Sequence, residues 1–198
     1  MARTADPTDI PRRLAAAGRE LFSRQGYNAT GIQQITDLAG VPKGSFYNHY
    51  ASKEAFAAAI VEQYGEMLRD SWAALMAAAP PQPLAAIRYA FAQMIAYHGR
   101  AKSRAGCLIG NFAAEMAEAS PLCREQMAAA MSAWRERLAD LIGRAQAAGE
   151  VRNDLPATAL AAFFWDAWEG ALLRMKVDNS LEPLQQTVEL MLDHLFSP

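Results

Sequence analysis

The order of hydrophobic and polar residues predicts helices along almost the whole chain. Apolar residues recur every three or four positions, as at Ile32 and Ile35, and no useful stretch alternates as a strand would. Glycine and proline interrupt the pattern, most clearly at Gly40 with Pro42 and at residues 80–83. The pattern therefore predicts an all-α protein of about nine helices.

Nine segments are long enough to be helices, and the fourth runs without a linker from an N-terminal head into a C-terminal body. We place the domain boundary after the start of this helix, with a head at residues 1–55 and a helical body at residues 56–198. The predicted helices span residues 9–25, 30–39, 43–50, 52–78, 84–98, 107–117, 121–148, 156–176 and 182–196.

The second and third predicted helices are joined by a tight turn and form a helix-turn-helix. Thr30 suits the N-cap of the first of these helices, and Gly40 suits a left-handed residue at its end. On the next helix Phe46 and Tyr50 lie four residues apart and can anchor the head. The rest of that short helix is polar or aromatic and is predicted to face outward.

The outward set has the chemistry of a DNA-reading helix. Lys43 can pair with phosphate or guanine, Asn48 can address adenine, and Gly44 lets the backbone approach the duplex. Lys53, in the first turn of the fourth helix, can add a phosphate contact. The predicted DNA contacts are Thr30, Gln33, Lys43, Gly44, Ser45, Tyr47, Asn48, His49 and Lys53. Arg12 and Arg13 are further candidates for phosphate, and the alternative is that they are solvated.

This segment resembles the DNA-binding head of TetR-type repressors almost position for position. Two positions depart from the family pattern, Thr36 and Tyr50, and each adds a hydroxyl group that needs a partner. The resemblance implies a homodimeric repressor that binds a near-palindromic DNA operator and is released by a small-molecule inducer. The residues that match the family pattern are Ile35, Ala39, Gly40, Val41, Gly44, Phe46, Tyr47, His49, Ser52, Lys53 and Glu54.

The charge distribution favours DNA as a partner of the head, although the whole chain has a net charge of −2. Residues 1–55 carry seven Lys and Arg against five Asp and Glu, and the remaining residues carry twelve against sixteen. The head is therefore at +2 and the body at −4. No apolar run predicts a secretory signal or a membrane partner, so we expect a cytoplasmic, nucleoid-associated protein.

The last two predicted helices have the composition of a dimer interface. Residues 159–173 are apolar almost all round, and the final helix carries a long apolar stripe. The alternative is that both helices bury against their own body. The residues predicted at the interface are Phe164, Trp168, Leu184, Val188, Met191 and Leu195.

Cys107 is the candidate sensing residue. It lies at a predicted helix start, just after Arg100, Lys102 and Arg104, where the helix dipole and the cations favour a thiolate. The surrounding sequence also resembles the TetR branch that senses electrophiles such as N-ethylmaleimide and aldehydes. That resemblance implies a sensing role for Cys107, with Lys176 as a neighbour that tunes its charge. The alternatives are a buried apolar cysteine and a solvated lysine.

Aromatic and methionine side chains of the body could line a noncovalent ligand pocket. Most stripes of this kind belong to a hydrophobic core, so their spacing alone does not predict a pocket. If a pocket is present, a noncovalent hydrophobic ligand could act as the inducer, and this is the alternative to sensing at Cys107. The candidate lining residues are Met94, Tyr97, His98, Phe112, Trp134, Trp165 and Trp168.

An enzyme is the remaining alternative, and the sequence gives it little support. Three histidines and two cysteines show no metal-ligand spacing, and no cofactor motif is present. Only Cys107 could serve as the nucleophile of a helical thiol-dependent transferase. We therefore predict a regulator with no metal, no cofactor and no catalytic residue.

Overall fold

A computed structural model describes residues 9–100 and 105–198, and within these ranges every regular element is helical. This confirms the predicted all-α class. The described residues form nine α-helices followed by a π-helical segment: α1 Ile10–Gln25, α2 Ile32–Ala39, α3 Lys43–Tyr47, α4 Lys53–Ala78, α5 Pro83–Arg100, α6 Leu108–Met116, α7 Pro121–Ala147, α8 Ala157–Asp178, α9 Glu182–Glu189, and the π-helical Leu190–Leu195. Across the described ranges, no helix has both the length and the apolar character needed to cross a membrane.

Local chemistry sets most of the helix ends. Gly40 ends α2 in the left-handed conformation (φ 63°, ψ 41°), where a side chain would be strained. The Ser52 hydroxyl oxygen accepts the Ala55 N–H at 3.0 Å and caps α4. The Ser120 oxygen accepts the Cys123 N–H at 3.1 Å and caps α7.

Thr30 does not cap α2, so that prediction is wrong. The N-cap position belongs to Gly31, while Thr30 is buried and its hydroxyl donates to the Gly26 carbonyl at 2.7 Å. The extra hydroxyl of Thr36 is satisfied within α2, because it donates to the Gln33 carbonyl at 3.0 Å.

The described residues form two compact units. The first comprises the residues up to Gly65 together with Cys107–Ala128, and the second comprises Glu66–Gly106 with Ala129–Pro198. The first unit therefore contains α1 to α3, the start of α4, all of α6 and the start of α7. These units divide the chain differently from the predicted boundary at residue 55.

Aromatic rings form the core of each unit. In the first unit Phe56 lies 5.8 Å from Phe22 and 5.1 Å from Phe46, between ring centroids. In the second unit Phe91 stacks on Phe164 at 4.3 Å and meets Trp168 edge-on at 5.0 Å. Rings of this size bury a large apolar area and favour such tilted contacts.

Candidate DNA-binding and sensing sites

The polar residues of α3 and of the turn after it form an exposed surface on the head. Phe46 is fully buried beneath them and fixes the rotation of the helix. A side chain added at Gly44 would meet no atom within 4 Å, so packing within the chain does not require glycine there. The exposed members are Lys43, Gly44, Tyr47, Asn48 and His49, and Ser45 is half-buried. The structure thus brings six of the nine predicted DNA contacts together on one surface.

The three other predicted DNA contacts behave differently. Thr30 is only 1% exposed and cannot reach a duplex, so its assignment is wrong in this structure. Gln33 is exposed on α2, and its amide donates to the Asp37 carboxylate at 2.8 Å. Lys53 holds its ammonium group over the ring of Tyr27, 4.1 Å from the centroid.

The Lys53 side chain is half-buried within the head. Burial lowers the pKa of Lys53, while the nearby negative charge of Glu115 acts in the opposite direction. An ammonium group above an aromatic face is stabilised by the ring quadrupole. In this structure Lys53 therefore stabilises the fold around Tyr27, and its phosphate contact stays a prediction.

The two arginines of α1 have partners within the protein. Arg12 pairs with Asp9 at 2.6 Å, and Arg13 donates to the Gly40 carbonyl at 2.8 Å. The second bond fastens the turn between α2 and α3 to α1. Sequence reasoning did not link Arg13 to Gly40, because nothing in the local pattern shows a partner 27 residues away.

A carboxylate on α6 holds the loop between α1 and α2. Glu115 accepts the Tyr27 N–H at 3.1 Å with one oxygen and the Asn28 N–H at 2.7 Å with the other. Gly26 precedes these donors with φ 80°, and a side chain there would lie 2.0 Å from a Glu115 oxygen. The sequence did not point to Glu115, because Gly26 is already accounted for as the end of α1 and nothing in the local pattern links it to α6.

Cys107 is the N-cap residue of α6 and is buried, with 8% of its surface exposed. The preceding residue, Gly106, has φ 74°, and the Cδ of Lys176 lies 3.2 Å from the position a side chain would take there. The aliphatic stem of Lys176 therefore packs beside the residue that leads into Cys107. Arg100 is exposed at the end of α5, whereas Lys102 and Arg104 lie outside the described residues.

The second thiol, Cys123, is fully buried in the first unit. Burial raises its pKa, the charge of Glu54 adds to the effect, and a hydrogen bond with Ser120 partly opposes it. The Ser120 hydroxyl in turn donates to the Glu54 carboxylate. Cys123 is thus held as a neutral thiol, which is the unreactive form.

The predicted pocket residues are divided between the two cores. Phe112 is fully buried in the first unit, 5.1 Å from Phe22, and Trp168 is fully buried in the second. Tyr97 is 65% exposed. A cavity that these residues share stays a prediction. Met94 and His98 are half-buried, and the rings of Trp134 and Trp165 are tilted by 34° with their centroids 5.1 Å apart.

The second unit does contain a shallow depression of about 350 Å³, with a different lining. Trp72 forms its aromatic part and contacts Trp134 edge-on at 4.8 Å. Burial lowers the pKa of Arg137, and the like charge of Arg69 adds to this effect. The lining residues are Trp72, Ala133, Glu136, Arg137 and Asp140.

Four residues predicted at the dimer interface lie inside the chain's own second unit. Phe164, Trp168, Leu184 and Met191 are buried, so they cannot contact a partner in this conformation. The alternative reading, burial against the body, describes them correctly. Val188 is half-buried and Leu195 is 38% exposed.

Other apolar side chains of α8 and of the π-helical segment after α9 are exposed, and we refer to them together as the α8–α9 surface. Its members are Phe163, Leu173, Val177, Leu190 and Leu195. The sequence could not separate them from their buried neighbours because α8 is apolar almost all round.

A helix-turn-helix head with an exposed polar third helix, carried by an all-helical chain, defines a DNA-binding transcriptional regulator. Residues 14–60 match the family described as bacterial regulatory proteins, tetR family. Residues 83–191 match the family described as Tetracyclin repressor-like, C-terminal domain. The chain belongs to the TetR family of transcriptional repressors, and it is a regulator rather than an enzyme.

The similarity to known proteins covers nearly the whole chain. The HTH-type transcriptional repressor DhaR of a Mycobacterium species is 33% identical over 95% of this chain and 93% of its own length. The repressor NemR of Escherichia coli is 27% identical over 91% of this chain and 90% of its own. A crystal structure of a TetR regulatory protein from Rhodobacter sphaeroides superposes with a TM-score of 0.88 at 32% identity, covering 94% of this chain and 98% of that one.

Proposed function

We propose that this protein represses transcription as a homodimer on a near-palindromic operator, and that an electrophile or oxidant reacting at Cys107 releases it. The observation that carries the proposal is the position of Cys107, because it caps the helix α6 that belongs to the same compact unit as the DNA-binding head. The expected site of action is the nucleoid in the cytoplasm.

The exposed surface of α3 supports the DNA-binding half of the proposal. Lys43 and Asn48 offer a cation and an amide to phosphate and base edges, and Gly44 leaves room for the backbone to approach. A two-fold dimer sets its two recognition helices one DNA turn apart, about 34 Å. This spacing is the reason for expecting a near-palindromic operator.

The α8–α9 surface supports the dimeric half. Phe163 is 60% exposed and Val177 is 84% exposed, although both are large apolar residues on one helix. Exposed apolar patches of this kind mark protein interfaces. An isologous contact would place the same patch on both partners and cover it.

The chemistry proposed for Cys107 is addition of its thiolate to an activated double bond. The thiol loses its proton, and the sulfur forms a bond to the β-carbon of a maleimide or enal. The π electrons move to the α-carbon, which takes a proton from water, so no group leaves. Cys107 is the N-cap residue of α6, and the positive end of a helix dipole favours an anion at this position.

The resemblance to the electrophile-sensing branch of the family supports the same role. NemR, which is 27% identical, has also been crystallised in what is described as its reduced form.

A noncovalent inducer is the second candidate, and the depression beside Trp72 and Arg137 is the observation that favours it. An aromatic floor with charged edges suits a small amphipathic ligand. Under this alternative the ligand would release DNA without any change at Cys107.

Operator release by N-ethylmaleimide tests the proposal. The duplex is selected by the wild-type protein from a random-sequence pool, and release is followed by fluorescence anisotropy. We expect the wild type and Cys123→Ser to be released, and Cys107→Ser to stay bound. Equal release of Cys107→Ser would overturn thiol sensing but leave DNA binding intact. Failure to retain any duplex at low ionic strength would overturn DNA binding itself.

A further inference from the structure

We propose that Glu115 is the positioning residue through which α6 holds the helix-turn-helix in its DNA-binding arrangement. The regulatory part of this inference rests on the proposed function of Cys107. The positional part rests only on contacts within the first compact unit, which contains both α6 and the head.

Both oxygens of the Glu115 carboxylate are used by the loop between α1 and α2. They accept the N–H groups of two consecutive residues, Tyr27 at 3.1 Å and Asn28 at 2.7 Å. A charged acceptor makes stronger hydrogen bonds to backbone donors than a neutral acceptor does. Two donors from adjacent residues also fix the direction of the loop, which a single bond would not.

The backbone conformation of the loop fits this carboxylate closely. Gly26 has φ 80° and ψ 178°, a combination that is essentially restricted to glycine. A side chain at this position would approach a Glu115 oxygen to 2.0 Å. The glycine is thus required twice, by the backbone angle and by the space that the carboxylate occupies.

A second contact holds the same loop from α4. The Lys53 ammonium lies 4.1 Å from the centre of the Tyr27 ring, and it interacts electrostatically with Glu115. On α6 itself, the Phe112 ring packs against Tyr27 at 6.2 Å and against Phe22 at 5.1 Å. Tyr27 is therefore held between α4 and α6.

The loop in turn determines where α2 begins. Thr30 donates to the Gly26 carbonyl at 2.7 Å, and the Gly31 N–H donates to the side-chain oxygen of Gln34 at 2.8 Å. Beyond α2, the Gly40 turn leads directly into α3. A shift of the loop would move the start of α2 and, with it, the exposed surface of α3.

The other end of α6 carries the proposed sensor. Cys107 caps the helix, and Glu115 follows eight residues later, about 12 Å along the axis at the usual rise of 1.5 Å per residue. A helix of this length moves as one piece. An adduct that displaces its capped end would pull the carboxylate away from its two donors.

Amide hydrogen exchange tests the positional part without any DNA. In Glu115→Gln one oxygen is replaced by an NH₂ group that cannot accept, so we expect the Tyr27 and Asn28 amides to exchange about tenfold faster. Glu118→Gln is the matched control, because it removes the same charge from an exposed position just after α6. Unchanged exchange at both amides in Glu115→Gln would overturn the proposal.

Operator affinity before and after alkylation separates positioning from a general loss of structure. We expect Glu115→Gln to bind the selected duplex about tenfold more weakly than wild type when unmodified. After treatment with N-ethylmaleimide, the two proteins should bind within about twofold of each other, because wild type has then lost the same contact. An equal loss of affinity in both states would show a merely structural role and overturn the proposal.

The outcomes also separate this inference from the function on which it rests. If N-ethylmaleimide does not release the wild type, sensing at Cys107 fails, and Glu115 is judged on exchange and unmodified affinity alone. If circular dichroism shows that Glu115→Gln is poorly folded, Glu115→Asp is used in its place. The aspartate keeps the charge, but its side chain is one methylene shorter and does not reach the two amides. If Glu115→Asp then shows the same amide exchange and the same operator affinity as wild type, the inference is contradicted.

Discussion

The two compact units of this repressor are stabilised in different ways. In the first unit, single side chains hold individual loops: Glu115 binds the α1–α2 loop, and Arg13 binds the α2–α3 turn. In the second unit, rings pack on rings around Phe91 and Trp168, and ion pairs such as Arg88 with Asp193 lie at the surface. Both units have aromatic cores, and the head adds directional contacts that fix the loops on either side of α2.

This difference predicts two kinds of mutational response. A single hydrogen bond contributes about 1 kcal/mol to stability but fixes a direction, so its loss moves a loop more than it unfolds the protein. Removal of a buried ring from the second unit costs several kcal/mol, and none of the predicted DNA contacts belongs to that unit. Substitutions in the head should therefore change affinity more than stability, and substitutions in the body should do the reverse.

The largest expected effect is that of Trp168→Ala in the second unit. The side chain is fully buried against Phe91, so its removal should lower the free energy of unfolding by about 3–5 kcal/mol, measured by urea denaturation. Leu155→Ala is the control, since Leu155 is 44% exposed and should cost less than about 1 kcal/mol. Similar costs for the two variants would contradict the idea of a packed, continuous core.

The next largest effect separates two glycines of the head. Gly26→Ala should cost about 1–3 kcal/mol, because φ is 80° there and a Glu115 oxygen occupies the space. Gly44→Ala should preserve stability, since a Cβ there meets nothing within 4 Å and alanine favours a helix. Thermal unfolding and operator anisotropy are measured for both. Normal operator binding by Gly44→Ala would remove the argument that α3 approaches DNA closely at this residue.

A smaller effect concerns the α8–α9 surface of the body. Phe163→Asp should weaken the dimer by about 1–2 kcal/mol, or roughly tenfold in dissociation constant, because it places a charge on an exposed apolar residue that the proposed dimer would cover. Analytical ultracentrifugation over a concentration series measures the change. Thr158→Asp adds the same charge at an exposed position of the same helix and should leave association unchanged. If both variants dimerise like wild type, another surface forms the interface.

The smallest effect is the pH dependence due to Cys123. Burial raises the pKa of this thiol in the folded protein, so the folded state keeps its proton while the unfolded thiol ionises near pH 8.5. Stability from this group is complete below pH 8.5 and falls as the pH rises above it, by at most about 1.4 kcal/mol per unit. Unfolding of wild type and Cys123→Ala is compared between pH 8 and 9.5. Parallel curves would show that the thiol is not protected.

The sequence was sufficient for features that depend on neighbours along the chain. Helical periodicity and the turn at Gly40 located the helices and the helix-turn-helix closely. Thr30 failed because Gly31, one residue later, took the cap, which a propensity argument cannot decide. Thr30, which was predicted to contact DNA, is instead buried, and its hydroxyl group bonds within the chain.

Features that depend on distant contacts could not be predicted. Glu115 lies 88 residues from Tyr27, and no periodicity links them. In α8, Phe163 and Phe164 have the same chemistry, but one is exposed and the other buried, and only packing separates them. The choice of Phe164 as an interface residue failed for this reason.

The inclusion of Cys107–Ala128 in the first compact unit matters for anyone who wants to transplant the DNA-reading module. A fragment cut after Gly65 would expose Phe22 where Phe112 now covers it, and it would leave two loop amides without their acceptor. A chimera that exchanges operator preference between related repressors should therefore carry α6 along with the head. A graft designed on the linear order of the chain alone would separate the module from its own scaffold.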